Sequence, residues 1–330
     1  MQMPGTAPQA PLPSTLQPAH PPVRIPRQSF PKMLRKNASF LVMLLPATLF
    51  VLIFAYLPMG GILLAFEKYR YADGIFGSPW NGLENFKFFF ISGKAWDVTR
   101  NTMLYNLAFI CVNMFLQVTF AIILSEIKGK MFKKLTQSSM FLPFFISWVV
   151  ASSIFYNLFS YEYGVLNGVM KAMGAESIDI YANATIWPFI LVALQAWKSV
   201  GYGSVVYLAS ITGIDQQIYE AADIDGANVW QKIRFITLPS IVPTMIIMLL
   251  LALGGIFRGD FGLFYQLVGN NGNLLPVTDI IDTFVFRALM SSADIGMSAA
   301  AGVYQSVLCL ITILIANKAV KMMQPDYSLF

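Results

Sequence analysis

Charge is missing from this chain for long distances at a time. No Asp, Glu, Lys or Arg occurs from Asn37 to Phe66, from Asn101 to Ser125 or from Leu135 to Tyr161. Two more clear stretches lie between Arg234 and Arg258 and between Asp294 and Lys318. Another, from Thr185 to Ile211, is interrupted by Lys198 alone. A bilayer core of about 30 Å takes ~20 helical residues, so each stretch is long enough to cross it. Backbone in lipid must satisfy its own hydrogen bonds, which makes these stretches helices. Pro46, Pro58, Gly60 and Gly61 fall inside them, and membrane helices tolerate such residues more readily than soluble ones do. The expected fold class is an all-α membrane protein with about six transmembrane helices. The composition fits: 12% of residues are charged, where soluble domains carry about 25%.

The net charge of +5 is unevenly placed. Arg24, Arg27, Lys32, Arg35 and Lys36 precede the first stretch, and Lys128, Lys130, Lys133 and Lys134 follow the second. Lys232 and Arg234 follow the fourth, and Lys318 and Lys321 close the sixth. The third and fifth are followed by less: Lys171 in one case, Arg258 and Arg287 in the other. The loop after the first, with Lys68, Arg70, Lys87, Lys94 and Arg100, does not discriminate. An excess of Lys and Arg marks the cytoplasmic side, so both termini and the connection over 212–240 are expected there. The basic balance is thus read as topology and not as a nucleic-acid surface. Residues 1–37 are rich in proline and poor in apolar side chains, which reads as a disordered basic arm. The arm has no apolar core followed by a small-residue cleavage site, as a signal peptide would. The transmembrane domain is expected over 38–325, with a short tail at 326–330. On the outer side, residues 67–97 and 270–296 are each expected to hold a short surface helix. In the second, Asn270-Asn271-Gly272-Asn273 gives a turn before Ile280, Ile281, Phe284 and Val285 at helical spacing.

Little in the chain carries reaction chemistry. Cys111 and Cys309 sit within apolar stretches, and the one histidine, His20, lies in the arm. There is no metal-ligand spacing, nucleophile elbow or phosphate-binding glycine loop, so no catalytic residue and no metal site is expected. If ATP drives this protein, the ATPase is another chain.

The connection over 212–240 has more order than a plain linker needs. Asp215 is a good N-cap, and Glu220, Ala221 and Ala222 favour helix up to Asp225. Gly226 supplies the left-handed stop. Asn228, with Gln231 three residues on, starts a second short helix whose Val229, Trp230, Ile233 and Ile236 share a face. Pro239 and Pro243 mark entry to the fifth stretch. Small residues at Ala221, Ala222 and Gly226 allow close approach of another backbone, and Glu220 offers a charge to a basic groove. A hairpin merely lying on lipid headgroups would favour Lys and Arg. Here Asp215, Glu220, Asp223 and Asp225 outnumber Lys232 and Arg234, so docking to protein is the better reading.

Glu220-Ala221-Ala222, three residues, Gly226, nine residues, Ile236, one residue and Leu238-Pro239 together resemble the signature of binding-protein-dependent ABC importer permeases. The resemblance covers about residues 38–325. It implies the MetI-like permease fold, with the loop as a coupling helix seated in a cleft of the nucleotide-binding subunit. The coupling residues would be Glu220, Ala221, Ala222, Asp225, Gly226, Ile236, Leu238 and Pro239. It also implies a second homologous permease, two ATPase subunits that bind ATP and Mg, and an extracytoplasmic solute-binding protein, all at a bacterial inner membrane. No cofactor is expected on this chain itself. The stretches Tyr56–Gly60, Leu142–Trp148, Tyr219–Ala227 and Ile281–Arg287 are similar to the carbohydrate-uptake branch, for oligosaccharides or polysaccharide fragments. Permeases for amino acids or peptides, and a membrane receptor or scaffold without transport, stay open as alternatives.

An ionisable group at membrane depth costs roughly 2.5–3.5 kcal/mol on insertion scales, which makes it a functional candidate. Lys198 is the clear case, flanked by Gln195, Trp197 and Tyr202; Arg258 and Asp260 stand at the end of the fifth stretch. These six are the expected cargo path. The competing reading of Lys198 is a side chain that snorkels or pairs with a carboxylate of a partner subunit.

Overall fold

The computed structural model describes residues 36–91 and 93–328. The arm over 1–35, with His20, Arg24, Arg27, Lys32 and Arg35, lies outside them. By contacts the chain divides into two units, 1–59 and 60–330.

The first unit holds most of α1 (Ala38–Phe66). Pro46 is accommodated inside its α-helical part, Ala38–Val51. A single π-helical turn, Leu52–Tyr56, comes next and immediately precedes Leu57-Pro58. Proline has no N–H and collides with the carbonyl four residues back. Widening the turn by one residue lets Leu57 N–H reach the carbonyl of Leu52 instead.

The second unit contains α2 (Glu84–Ile91), α3 (Lys94–Glu126), α4 (Lys130–Phe145), α5 (Trp148–Phe159), α6 (Val165–Ala172) and α7 (Ala184–Thr212). After these come α8 (Gln216–Ile224), α9 (Val229–Leu253), α10 (Phe261–Val268), α11 (Ile281–Ser292) and α12 (Ile295–Met323). The short surface helices expected over 67–97 and 270–296 are α2 and α11. Among the described residues five helices, α1, α3, α7, α9 and α12, are long and apolar enough to cross a membrane.

The third uncharged stretch departs from expectation. It is not one helix but two, α4 and α5, bent by 94° at Ile146-Ser147. Both break residues are extended, with ψ of 125° and 153°. Pro143 weakens the last turn of α4, and Ser147 starts α5 as an N-cap whose Oγ accepts the Val150 N–H at 3.3 Å.

Helices α3 and α7 lie side by side and run the same way. Tyr105 and Phe109 of α3 share a core with Trp187 and Leu191 of α7. Further along, Val118, Ala121 and Leu124 meet Tyr207, Leu208 and Ile211. Lipid is as apolar as leucine, so packing fit rather than water exclusion holds such helices together, and small residues permit it. Gly201 shows this: a Cβ there would lie 1.9 Å from the Met140 carbonyl oxygen of α4. Ala95 and Val98 also share a core with Ile281, Met297 and Ala301. The starts of α3, α7 and α12 and the helix α11 therefore mark one end of the bundle. The α7–α9 connection marks the other.

Candidate functional site: the hairpin and the broken third span

The hairpin is built as its residues require. Asp215 Oδ1 accepts the Gln217 N–H at 2.9 Å and opens α8. Gly226 closes it in left-handed geometry, φ +76°, with Ala227 N bonded to Ala222 O at 2.9 Å and Gly226 N to Asp223 O at 3.1 Å. Those two bonds are a Schellman close, which only glycine enters cheaply. Asn228 and Gln231 then exchange reciprocal bonds, 2.9 and 2.8 Å, in a capping box.

Beyond this box the chain does not make a separate second short helix. Val229 begins α9 and the chain stays helical to Leu253. The reason is another π-helical turn, Ile233–Thr237, placed directly before Leu238-Pro239 as in α1. Pro239 is absorbed within a continuing helix instead of marking its start. Trp230 also departs from the expected shared face. It is 79% exposed, whereas Ile233 and Ile236 are half-buried.

The coupling residues divide by position. Glu220, Ala221, Asp225 and Gly226 are exposed on the hairpin, with Ala222 half-buried beside them. Leu238 packs against the second core, Ile236 is half-buried, and Pro239 is exposed at the root of α9. Two contacts that sequence reasoning missed hold the hairpin to that root. Tyr219 Oη lies 2.8 Å from Thr237 Oγ1, and Lys232 Nζ binds Asp223 at 2.7 Å. With Tyr219 and Thr237 so fixed, Ile224 is left 87% exposed at the tip.

The cargo-path candidates do not form one site. Lys198 points into the break of the third span, where Nζ donates to the carbonyls of Phe144 (2.9 Å), Pro143 (3.4 Å) and Ile146. The ammonium also faces the Trp148 ring at 5.2 Å and the Phe144 ring at 5.9 Å. Tyr202 stacks on Phe144 with centroids 4.2 Å apart. Asp260 caps α10 by accepting Leu263 N–H at 3.1 Å, and its other oxygen accepts the Trp148 indole N–H at 2.8 Å. Lys198, Tyr202 and Asp260 thus converge on the break through Phe144 and Trp148. Among the described residues no such contact joins Gln195 to the break; its backbone carbonyl is 2.6 Å from Ser199 Oγ, which is 2.9 Å from Asn113 Oδ1. Trp197 lines an apolar groove of about 1190 Å³ with Ala108, Val112, Met140 and Pro143.

Arg258 is exposed, and its charge favours ionisation of Asp282. Asp282 is held by Gly259 N–H (2.7 Å) and Gln305 Nε2 (3.0 Å), yet burial outweighs these and pushes its carboxyl above the usual range. A Cβ on Gly259 would sit 2.2 Å from Ile280 Cδ1 and 3.0 Å from Asp282 Oδ2, so a larger residue there would have to displace those side chains. In the Ile281–Arg287 stretch, Arg287 pairs with buried Asp279, which also accepts Thr283 Oγ1 at 2.7 Å. No group of His, Cys, Asp or Glu able to hold a metal occurs among the described residues.

The hairpin and the broken span both lie within the part of the chain that matches known proteins. The family model for the binding-protein-dependent transport system inner membrane component matches residues 103–321, which include the hairpin, the break and all six path candidates. The chain belongs to this family. The permease has its MetI-like, multi-pass inner-membrane fold. It is 31% identical to the polygalacturonan/rhamnogalacturonan transport system permease protein YteP of Bacillus subtilis, over 88% of this chain and 89% of that one. It is 28% identical to the arabinooligosaccharides transport system permease protein AraP of Halalkalibacterium halodurans, over 81% of each. Among solved structures, a bacterial ABC transporter involved in the import of the acidic polysaccharide alginate superposes with a TM-score of 0.80. Identity there is 29%, covering 89% of this chain and 98% of the other.

Proposed function

We propose that this permease is one of two transmembrane subunits of an ATP-driven importer for oligosaccharides or polysaccharide fragments. The observation that carries the reading is the hairpin: a rigidly capped, exposed, small-residue helix clipped to the root of a span. Its partners are a second homologous permease, two ATPase subunits carrying ATP and Mg, an extracytoplasmic solute-binding protein and the bilayer. The hairpin end faces the cytoplasm, as do both termini. Closure of the ATPases on nucleotide moves α8, and α9 passes the movement to the bundle, which alternates between inward- and outward-open states. Glu220 pairs with a basic residue of the ATPase, and Ile224 and Ala221 seat in its cleft.

The cargo class rests on the relatives, two of which are named for polygalacturonan/rhamnogalacturonan and for the acidic polysaccharide alginate. An acidic saccharide suits Arg258, the exposed cation at the end of α9 opposite the hairpin. The test is reconstitution of the four-subunit complex in proteoliposomes with its solute-binding protein. ATP-dependent uptake of oligogalacturonate is the expected result. Uptake of amino acids or peptides alone would overturn the cargo class, and failure to recover any ATPase with the purified chain would overturn transport.

A further inference from the structure

The geometry points to Lys198 as a positioning residue: it clamps the broken third span and does not bind cargo. The inference rests on the transport reading above. A helix end leaves its last carbonyls without partners, and these carry the negative end of the helix dipole. At the break between α4 and α5 the Pro143 carbonyl accepts the Ile146 N–H at 3.2 Å. That bond still leaves the negative end of the α4 dipole held among membrane helices, where polar groups short of partners are costly. Lys198 Nζ has three N–H donors, and three carbonyls lie within reach of it: Pro143, Phe144 and Ile146. The donor set is filled by backbone. Half-helix ends inside transporters commonly gather a bound cation at their carbonyls; here the ammonium of α7 stands in that place.

The opposite stump is capped by Ser147 and anchored through its first side chain. Trp148, the first residue of α5, donates its indole N–H to Asp260 at 2.8 Å, and Gly262 beside it leaves a Cβ position only 2.7 Å from Trp148 Cδ1. Trp148 also presents its ring to Lys198. The bend is therefore held from two sides, by α7 through Lys198 and by the α9–α10 connection through Asp260. A clamp of this kind fixes the angle between the two halves of the span, whatever the cargo's charge.

The test uses the complete complex with Cys111→Ser and Cys309→Ala and spin labels at Phe132→Cys and Leu158→Cys, one on each half. Lys198→Met is expected to broaden the label-to-label distance distribution. It should also lower uptake of neutral and acidic oligosaccharides by the same factor, at least tenfold. Lys198→Gln keeps two donors without the charge and should fall between; it carries the test if Lys198→Met fails to assemble. A loss confined to acidic cargo, an unchanged distance distribution or unchanged uptake would each overturn the clamp. The distances read the clamp even if the complex proves to carry another solute, so its failure and that of the cargo reading remain distinct.

Discussion

Gly226 is required by its backbone and not by crowding. A Cβ there would meet no atom within 4 Å, yet φ is +76°. Left-handed geometry costs an L-residue about 1–2 kcal/mol, and asparagine visits it more readily than most. Gly226→Val should therefore loosen the end of α8 and reduce uptake and cargo-stimulated ATP hydrolysis severalfold, with membrane insertion intact; Gly226→Asn should lose much less. Uptake by vesicles carrying each variant measures this. Asp282 gives a second expectation. Its folded-state pKa is raised, so the folded protein binds that proton more tightly than the unfolded chain does. By linkage, the contribution is fully present below about pH 3.9, the unfolded value, and is lost as pH rises through the raised folded value. Asp282→Asn should remove this downward slope. Melting curves of wild type and variant across acidic pH would show whether the two profiles diverge in that direction.

At the level of elements, both π-helical turns come before a Leu-Pro pair, at Leu57-Pro58 and Leu238-Pro239. Restoring an N–H with Pro239→Ala should let the widened turn relax to α-helix. One residue of register is about 100° of rotation, enough to swing Thr237 away from Tyr219. A short bifunctional thiol reagent should then join Tyr219→Cys to Thr237→Cys less efficiently than in the Pro239 background. Such details explain what could be read from the residues beforehand. Charge-free stretches report which side chains tolerate lipid, so the presence of α1, α3, α7, α9 and α12 was legible, and for α1 and α7 their bounds as well. Helices α3, α9 and α12 run on into charged residues outside their stretches, such as Lys94, Lys232 and Lys321, because a helix does not stop where the lipid does. Charge-free stretches say nothing of continuity, because Pro143 at a 94° break and Pro46 inside a helix look alike in sequence. Asp215, Gly226 and the Asn228–Gln231 box were legible since caps depend on side chains a few positions apart. Lys198 stood out as a charge in an apolar stretch, but its partners are backbone carbonyls, which no residue type announces. The Trp148–Asp260 contact was hidden for a different reason: it joins residues 112 positions apart through helix packing, which spacing along the chain does not encode.

For the molecule as a whole, the parallel pair α3–α7 and the start of α12 define two ends, and the proposed function assigns them to opposite sides of the membrane. In vesicles stripped of the ATPases, a cysteine at Ile224, on a background lacking Cys111 and Cys309, should react with an impermeant thiol reagent only when the vesicles are inverted. A cysteine at Asn270 should react only from the outer face. Reversal of the two would overturn the orientation while leaving the fold untouched. The same layout makes the spans mechanically unequal. From Val229 to Leu253, α9 is one unbroken helix, about 37 Å at 1.5 Å per residue, and its first turns are bonded to α8. It can act as a connecting rod: whatever displaces the tip of the hairpin is delivered, with little lost to bending, to the Gly254–Asp260 segment at the far side. The third span, folded at a right angle, can transmit no such thrust along its length; it can only pivot.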